Sequence, residues 1–473
     1  MQIIEGVLLI LLFVFSIQWF LPNIFRGIEK RKLMGLTAIL SFILTLVAIL
    51  WFGFRWQLLP IYLPVFLFIV YELFQQRNIL KSKGEISSPG SVRIPRKKLN
   101  AAIVIVSLVL MVTSVTLDSM LPVFVLPEPS GAYNVGTINF ELTDNSRNET
   151  FTQDPDDFRR ILIQAWYPTD DTTGLVPIPY IESPTEFGVA IGQSFGFPSI
   201  IVSHFSLVKT HSYRDAPLSD AESEYPVLLF SHGYGGFVFQ NTILMEELAS
   251  HGYVIFSISH TYESASTVFP DGSVAYEATD EDLFQLSDSL DIWAQDSMFL
   301  LDQLEIVSND NIPQEFWTHL DFDTIGAFGH SFGGTTAEEL CIIDSRVDTG
   351  ISFDSPHSGA SIVQNMTKPF MMIFGPDYGN PEMNDTIFQR SENTCYGLFV
   401  NGTRHYNFAD VVIWSSLLKS FGLLGSIDGN QMLDIMSDYV LSFFDQELRG
   451  VDSTLLDGHA AEYPEVMYYY NGL

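Results

Sequence analysis

Seven short runs of large apolar residues recur between residues 161 and 400. They are Ile161–Tyr167, Val227–Ser231, Val254–Ile258, Thr324–Phe328, Gly350–Phe353, Phe370–Phe374 and the run that opens at Leu398–Val400. Helix-like stretches follow or separate them: Gln240–His251, Asp288–Val307, Thr335–Ile342 and Met432–Arg449. Strands that are apolar along their whole length need cover on both faces. Such strands alternating with helices predict an α/β fold: a mostly parallel central sheet with helices on both faces. Pro-, Asp- and Ser-rich stretches at 168–173 and 214–226 read as turns or surface loops, and no repeat or low-complexity tract interrupts the series.

The chemistry concentrates where these runs end. Gly329-His330-Ser331-Phe332-Gly333 follows the run TIGAF and precedes the helix-like TTAEELCII. This G-x-S-x-G pattern therefore sits at a strand–sharp turn–helix junction, the setting of a nucleophile elbow, with Ser331 as nucleophile. A serine hydroxyl needs a base, and the base needs a carboxylate to fix its tautomer. The chain order in this fold class is Ser, acid, His. Beyond Ser331 the histidines are His357, His405 and His459. His357 comes too early and His459 lies in a tail beyond the last expected helix, which leaves His405 as the base. Asp354 and Asp377 each end a strand-like run, and spacing alone leaves both open as the acid. An acyl-transfer intermediate also needs preorganised N–H donors. Phe332, next after the nucleophile, supplies one; the Gly-rich turn Ser231-His232-Gly233-Tyr234-Gly235-Gly236 supplies the other, through Tyr234.

The N-terminal part is built differently. Leu33–Phe54 is 22 residues without a charge, against the ~20 that cross a hydrocarbon core as helix. Four transmembrane helices are expected, at about 7–24, 33–54, 58–74 and 101–120. The first lacks both a basic leader and a small-residue cleavage site, and reads as a retained span, not a signal peptide. The third is short, contains Pro60 and Pro64 and carries Glu72. The basic residues Arg26, Lys30, Arg31 and Lys32, and those between Arg77 and Lys98, flank the second and third stretches. The positive-inside rule places both groups in the cytoplasm. Four crossings then put residues 128–473 outside the cytoplasm, in a multi-pass protein of the cell membrane. Glu72 and Asp118 fall at span ends, within reach of the interface, so the spans read as an anchor and not as a transport path.

Charge divides the chain at the same place. Residues 1–127 carry 12 basic and 5 acidic side chains, a net of +7; the remainder carries 11 and 51, a net of −40, and together they give the chain's −33. So acidic a surface repels phosphate, and nucleic acid is not an expected partner. No CxxC, HExxH or Walker-type pattern occurs, so neither a metal nor a cofactor is expected. The only cysteines, Cys341 and Cys395, are expected as separate, semi-buried thiols. Asn148, Asn365, Asn384 and Asn401 stand in glycosylation sequons. Phe187–Leu207 is apolar for a surface segment, and reads equally as a lipid-contacting lid or as core.

In order and spacing, FSHGYGG, ASHGY with SISHTYESAS, GHSFGG, ISFDSP and HYNFAD resemble the plasma-type, isoform II-like platelet-activating factor acetylhydrolases. The likeness extends over about 160–450 and includes Trp166-Tyr167-Pro168 and Asp215-Ala216-Pro217. It implies an α/β-hydrolase that removes short or oxidised sn-2 acyl chains from phospholipids without calcium. Carried over by position, it implies Ser331 as nucleophile, Asp354 as acid, His405 as base, and the Tyr234 and Phe332 amides as oxyanion donors. The resemblance, not spacing, favours Asp354 over Asp377. His232 and His330 are expected to be structural. The family's better-known members lack a four-span region, and a general short-chain carboxylesterase is the alternative. A membrane receptor reusing the fold would be expected to have lost a member of the set, and none is missing.

Overall fold

The computed structural model describes residues 6–7, 10, 13–14, 28–82, 96–278, 286–306, 318–377 and 387–471. The chain divides into two compact units, Met1–Val123 and Phe124–Leu473.

The first unit contains helices α1 (Ile28–Phe52), α2 (Leu59–Ser82) and α3 (Arg96–Met120). They share a small core of Ala38, Leu58, Ile61, Tyr62, Val65, Phe68 and Met111. Many large apolar side chains on the same helices face outward, among them Leu36, Leu50, Trp51, Leu63, Phe66, Val109 and Val112. One stretch, Gly35–Phe52 in α1, is long and apolar enough to cross a membrane. The apolar stretches in and before α2 (Trp56–Val70) and in α3 (Ile105–Met120) fall short of that length. The expected span at 7–24 lies largely outside the described residues. Asp118 differs from expectation: it does not reach outward but is buried in an ion pair with Arg55, from the turn before α2. Close by, Gln57 Nε2 donates to the Leu121 carbonyl at 2.8 Å. Charges withdrawn from water in this way need such partners.

The second unit is built on one 11-stranded sheet. Its strands are β1 (Asn134–Asn148), β2 (Phe158–Thr169), β3 (Pro177–Pro179), β4 (Lys209–Arg214), β5 (Tyr225–Ser231) and β6 (Val254–Ser259). After a small separate hairpin, β7 (Ser266–Val268) with β8 (Val274–Tyr276), come β9 (Leu320–His330), β10 (Thr349–Phe353), β11 (Phe370–Phe374), β12 (Cys395–Val400) and β13 (Val466–Asn471). The order across the sheet is β13-β12-β11-β10-β9-β5-β6-β2-β1-β4-β3. From β12 to β6 every neighbouring pair is parallel; β13, β2 and β3 join antiparallel. The seven expected runs all fall on strands of this sheet. Their side chains are buried almost throughout, because helices cover the sheet.

Helices α4 (Pro184–Phe195), α5 (Thr242–Ser250), α6 (Leu286–Leu304), α7 (Phe332–Ile343) and α8 (Gly429–Arg449) complete the unit. Against the sheet, α5 packs with α8 and α6 with α7. The sequence of α8 shows why it forms and where it stops. Asp428 caps its first turn by accepting from the Asn430 and Gln431 amides, and Gly450 ends it at φ 66°. Met432, Leu433, Ile435, Met436, Tyr439, Val440, Phe443 and Phe444 recur at helical spacing and form its buried face. Phe187–Leu207 divides between the two readings. Phe187, Ala190 and Phe205 are core, whereas Phe195, Phe197 and Ile200 are exposed.

Register decides where the chemistry converges. Ser231 at the end of β5 lies beside Gly329, and Phe353 at the end of β10 beside His330. The carboxyl ends of β5, β9 and β10 are therefore level, and the loops leaving them meet at one edge. A crevice at the carboxyl ends of parallel strands is where open α/β sheets place their sites.

Candidate active site

Ser331 joins β9 to α7 at φ 55°, a conformation that costs a non-glycine residue of order 1 kcal/mol or more. The strain is held by close packing. A Cβ on Gly333 would sit 2.0 Å from the Ser231 carbonyl oxygen and 2.4 Å from that of His232. One on Gly329 would meet the Gly333 carbonyl carbon at 2.4 Å. Only glycine permits the start of α7 to lie this close to the ends of β5 and β9. The Ser331 amide donates to the Phe353 carbonyl at 2.8 Å, which fixes the turn against β10. The serine hydroxyl is thus presented on a rigid corner.

His405 opens a short 3-10 turn, His405–Phe408, in the loop after β12. Its Nδ1 lies 2.7 Å from Asp354 Oδ2 and its Nε2 lies 3.0 Å from Ser331 Oγ. Asp354, at φ 47° directly after β10, is fully buried. Its second oxygen, Oδ1, accepts from the Gly375 amide at 2.9 Å. An ionised carboxylate only accepts, so the imidazole proton sits on Nδ1 and Nε2 is left to accept from the serine hydroxyl. The contacts among the three residues have the order and spacing that a nucleophile, a base and an orienting acid would require. Asp377, the other acid considered, has a different place: its Oδ2 accepts from the His405 backbone amide at 3.0 Å and is not bonded to the ring. His357 is turned away into a bond with Glu338 Oε1 at 2.7 Å, and His459 is exposed.

Phe332 is the first residue of α7, and the first amides of a helix have no intrahelical acceptor. Tyr234 lies on the turn after β5, where Gly235 at φ 66° donates to the Glu263 carbonyl and Gly236 donates to the Gly233 carbonyl. Behind this turn is a buried polar layer with no counterpart in the sequence reading. Ser231 Oγ is 3.0 Å from His260 Nε2, and His260 Nδ1 is 3.0 Å from Asp296 Oδ2. Arg159 completes it with two bonds to Asp296, at 3.1 and 2.7 Å. Burial works to raise the Asp296 carboxyl, but Arg159 and His260 outweigh it and hold it well below the carboxylate range. Burial pushes His260 down to about 4 and, helped by His260, pushes His232 down to about 3. Both rings are neutral in the folded protein. The set Ser231, His260 and Asp296 mimics a catalytic constellation, yet it is sealed from solvent and backs the turn instead of facing substrate. His260 stacks on Trp293 at 3.9 Å, and Trp293 meets Phe332 edge-on at 4.8 Å.

Among the described residues, no three His, Cys, Asp or Glu side chains converge as metal ligands would. Cys341 and Cys395 are separate thiols, more deeply buried than expected, and burial pushes both up to about 12. The sequon at Asn384 lies outside the described residues.

Comparison with known proteins bears on the family of the chain. The family model described as platelet-activating factor acetylhydrolase, isoform II, matches residues 121–292 and 301–459. A platelet-activating factor acetylhydrolase of Canis lupus familiaris is 25% identical over 366 residues, covering 68% of this chain and 77% of that protein. A probable 1-alkyl-2-acetylglycerophosphocholine esterase of Arthroderma benhamiae is 24% identical, with 73% of this chain and 94% of that protein covered. Among solved structures, a ferulic acid esterase from Streptomyces cinnamoneus superposes with a TM-score of 0.61 at 26% identity, over 73% of this chain and 98% of that one.

Proposed function

The chain belongs to the platelet-activating factor acetylhydrolase isoform II family and is a carboxylic ester hydrolase; on that footing we propose that it releases short or oxidised sn-2 acyl chains from phospholipids through Ser331, His405 and Asp354. The observation that carries this reading is the unbroken set of contacts Asp354–His405–Ser331, at 2.7 and 3.0 Å.

In the proposed reaction His405 Nε2 takes the Ser331 proton as Oγ attacks the ester carbonyl. The charge that develops on the carbonyl oxygen is received by the Tyr234 and Phe332 amides. Asp354, with one oxygen on the ring and the other held by Gly375, keeps the imidazole in its accepting tautomer and stabilises the imidazolium. His405 then protonates the departing lysolipid oxygen, and a water activated by the same nitrogen hydrolyses the acyl-enzyme. No step calls for calcium.

The substrate is tested with two phospholipids, one acetylated and one palmitoylated at sn-2, in detergent without calcium. Selective acetyl release, reduced more than about 10³-fold in Ser331→Ala, is the expected result. The ferulic acid esterase neighbour favours a second reading, a carboxylesterase of other small esters. That reading prevails if p-nitrophenyl acetate is cleaved and neither lipid is.

We further propose that the N-terminal unit is a four-crossing membrane anchor, which puts the hydrolase unit outside the cytoplasm. Its support is the outward-facing Leu, Ile, Val, Phe and Trp side chains along α1, α2 and α3, which hydrocarbon would cover, together with the basic residues near Arg26–Lys32 and Arg77–Lys98.

A further inference from the structure

Resting on that assignment of Ser331 and its oxyanion amides, we propose that Gln240 is a positioning residue whose single side-chain amide sets the oxyanion turn, the nucleophile elbow and the base loop relative to one another. Gln240 follows the Gly-rich turn, just before α5, and is 8% exposed. Its Oε1 accepts from the Gly233 amide at 3.1 Å. Its Nε2 lies 2.9 Å from His330 Nδ1 and 3.3 Å from Asn241 Oδ1. His330 Nε2 in turn lies 3.0 Å from the His405 carbonyl oxygen.

The donor directions are forced. An amide nitrogen only donates, so His330 Nδ1 accepts, and its Nε2 carries the proton and donates to the His405 carbonyl. Flipping the Gln240 amide would set its NH₂ against the Gly233 N–H and its oxygen against His330, so one orientation satisfies every partner. A neutral His330 is what this pattern requires. Burial, reinforced by the neighbouring His405, holds its ring well below the usual histidine range.

This bears on catalysis through Gly233. Its amide is held by Gln240, and its carbonyl accepts from His232 Nδ1 at 2.7 Å and from the Gly236 amide at 2.8 Å. In a trans peptide the carbonyl and the next N–H point opposite ways. Anchoring Gly233 at both ends therefore sets the direction of the Tyr234 N–H. The same neighbourhood holds the base loop twice more: the Asp410 amide donates to the Gln240 carbonyl at 3.1 Å, and Asn241 Nδ2 donates to the Phe408 carbonyl at 2.9 Å. Gly236 is required here as well, since a Cβ on it would lie 2.2 Å from Gln240 Oε1.

The test compares full-length wild type, Gln240→Leu and Gln240→Glu on p-nitrophenyl acetate. Rates are expressed per active serine, counted by end-point fluorophosphonate labelling so that misfolded protein drops out. Gln240→Leu is expected to lower kcat about 10- to 100-fold with KM within about twofold. In Gln240→Glu a protonated carboxyl offers the same acceptor and donor as the amide, and an ionised one cannot donate to His330. The ratio of its kcat to that of wild type is therefore expected to rise about tenfold from pH 8 to pH 5.5. A side chain that merely filled space would leave this ratio flat. Wild-type kcat per labelled serine in Gln240→Leu, or a flat ratio in Gln240→Glu, overturns the proposal; if Gln240→Leu does not fold, the ratio alone decides. Failure of wild type to label at Ser331 or to cleave the ester would instead overturn the function on which it rests.

Discussion

At the scale of single residues, the two carboxylates beside His405 separate a role in tautomer control from a role in loop placement. Asp354 meets the ring, whereas Asp377 meets only the backbone amide of the same residue. Without an ionised partner at Nδ1 the ring is free to adopt the wrong tautomer. Asp354→Asn is thus expected to lower kcat about 10³- to 10⁴-fold with little change in KM. Asp377→Asn keeps an acceptor oxygen for the His405 amide and removes only a partly exposed charge, so it is expected to cost less than about tenfold. Steady-state kinetics on p-nitrophenyl acetate checks both, and equal losses would remove the distinction. Ser331 and His405 were legible because catalytic chemistry restricts which residue types can follow a strand end, and in what order. Spacing alone did not separate Asp354 from Asp377, because both end strands; the family resemblance favoured Asp354, and in the structure it is Asp354 that meets the ring. Gln240, His260 and Asp296 were invisible for a related reason: a buried amide or imidazole has no periodicity, and its partners lie far away in the chain, Asp296 being 137 positions from Arg159.

At the scale of elements, apolar runs of five or so residues revealed the central strands, which helices cover on both faces. The strands toward the two ends of the sheet escaped. β1 alternates buried with half-buried positions and carries Asn, Asp and Gly, so its sequence NVGTINFELTDNSRN offers no continuous apolar run. β13, in what read as a tail, is ordered by pairing with β12 from Cys395↔Asn471 to Val400↔Val466. Helix α7 begins at Phe332, three residues before its sequence signal, because the glycines that weaken a helix are the ones the elbow needs. The apolar helices of the first unit are tested at this scale too. Cys341 and Cys395 are buried, and both thiols are pushed up to about 12, so they give little background to a membrane-impermeant maleimide. Four crossings predict that a cysteine at Ser88→Cys is protected in intact cells and that one at Glu128→Cys is labelled. The same outcome at both positions would refute the proposed topology.

At the scale of the whole molecule, buried ionisable groups press on stability from opposite sides. His232 and His260 are neutral in the fold and titrate near their ordinary values when unfolded. As pH falls below about 6.5 the unfolded chain gains protons that the folded one refuses, and stability is lost toward acid. Glu246 acts in the reverse sense. It is fully buried on α5, accepts from the His211 amide at 2.7 Å and from the Ser212 hydroxyl, and burial raises it from 4.5 to about 7. Between those values the folded state holds a proton that the unfolded chain has given up. Its contribution is complete below about pH 4.5 and is lost as pH rises through 7, a change of about 3 kcal/mol. Glu246→Gln keeps the shape and removes the titration. Relative to wild type the variant should therefore gain about 3 kcal/mol between pH 4.5 and pH 8, read from urea unfolding of the hydrolase unit's tryptophan fluorescence in the full-length protein. The net −40 of the remainder of the chain also destabilises as pH rises, but variant and wild type share it, so it cancels in the difference. A difference independent of pH would mean that Glu246 is ionised in the fold, with its charge met by the His211 and Ser212 donors alone.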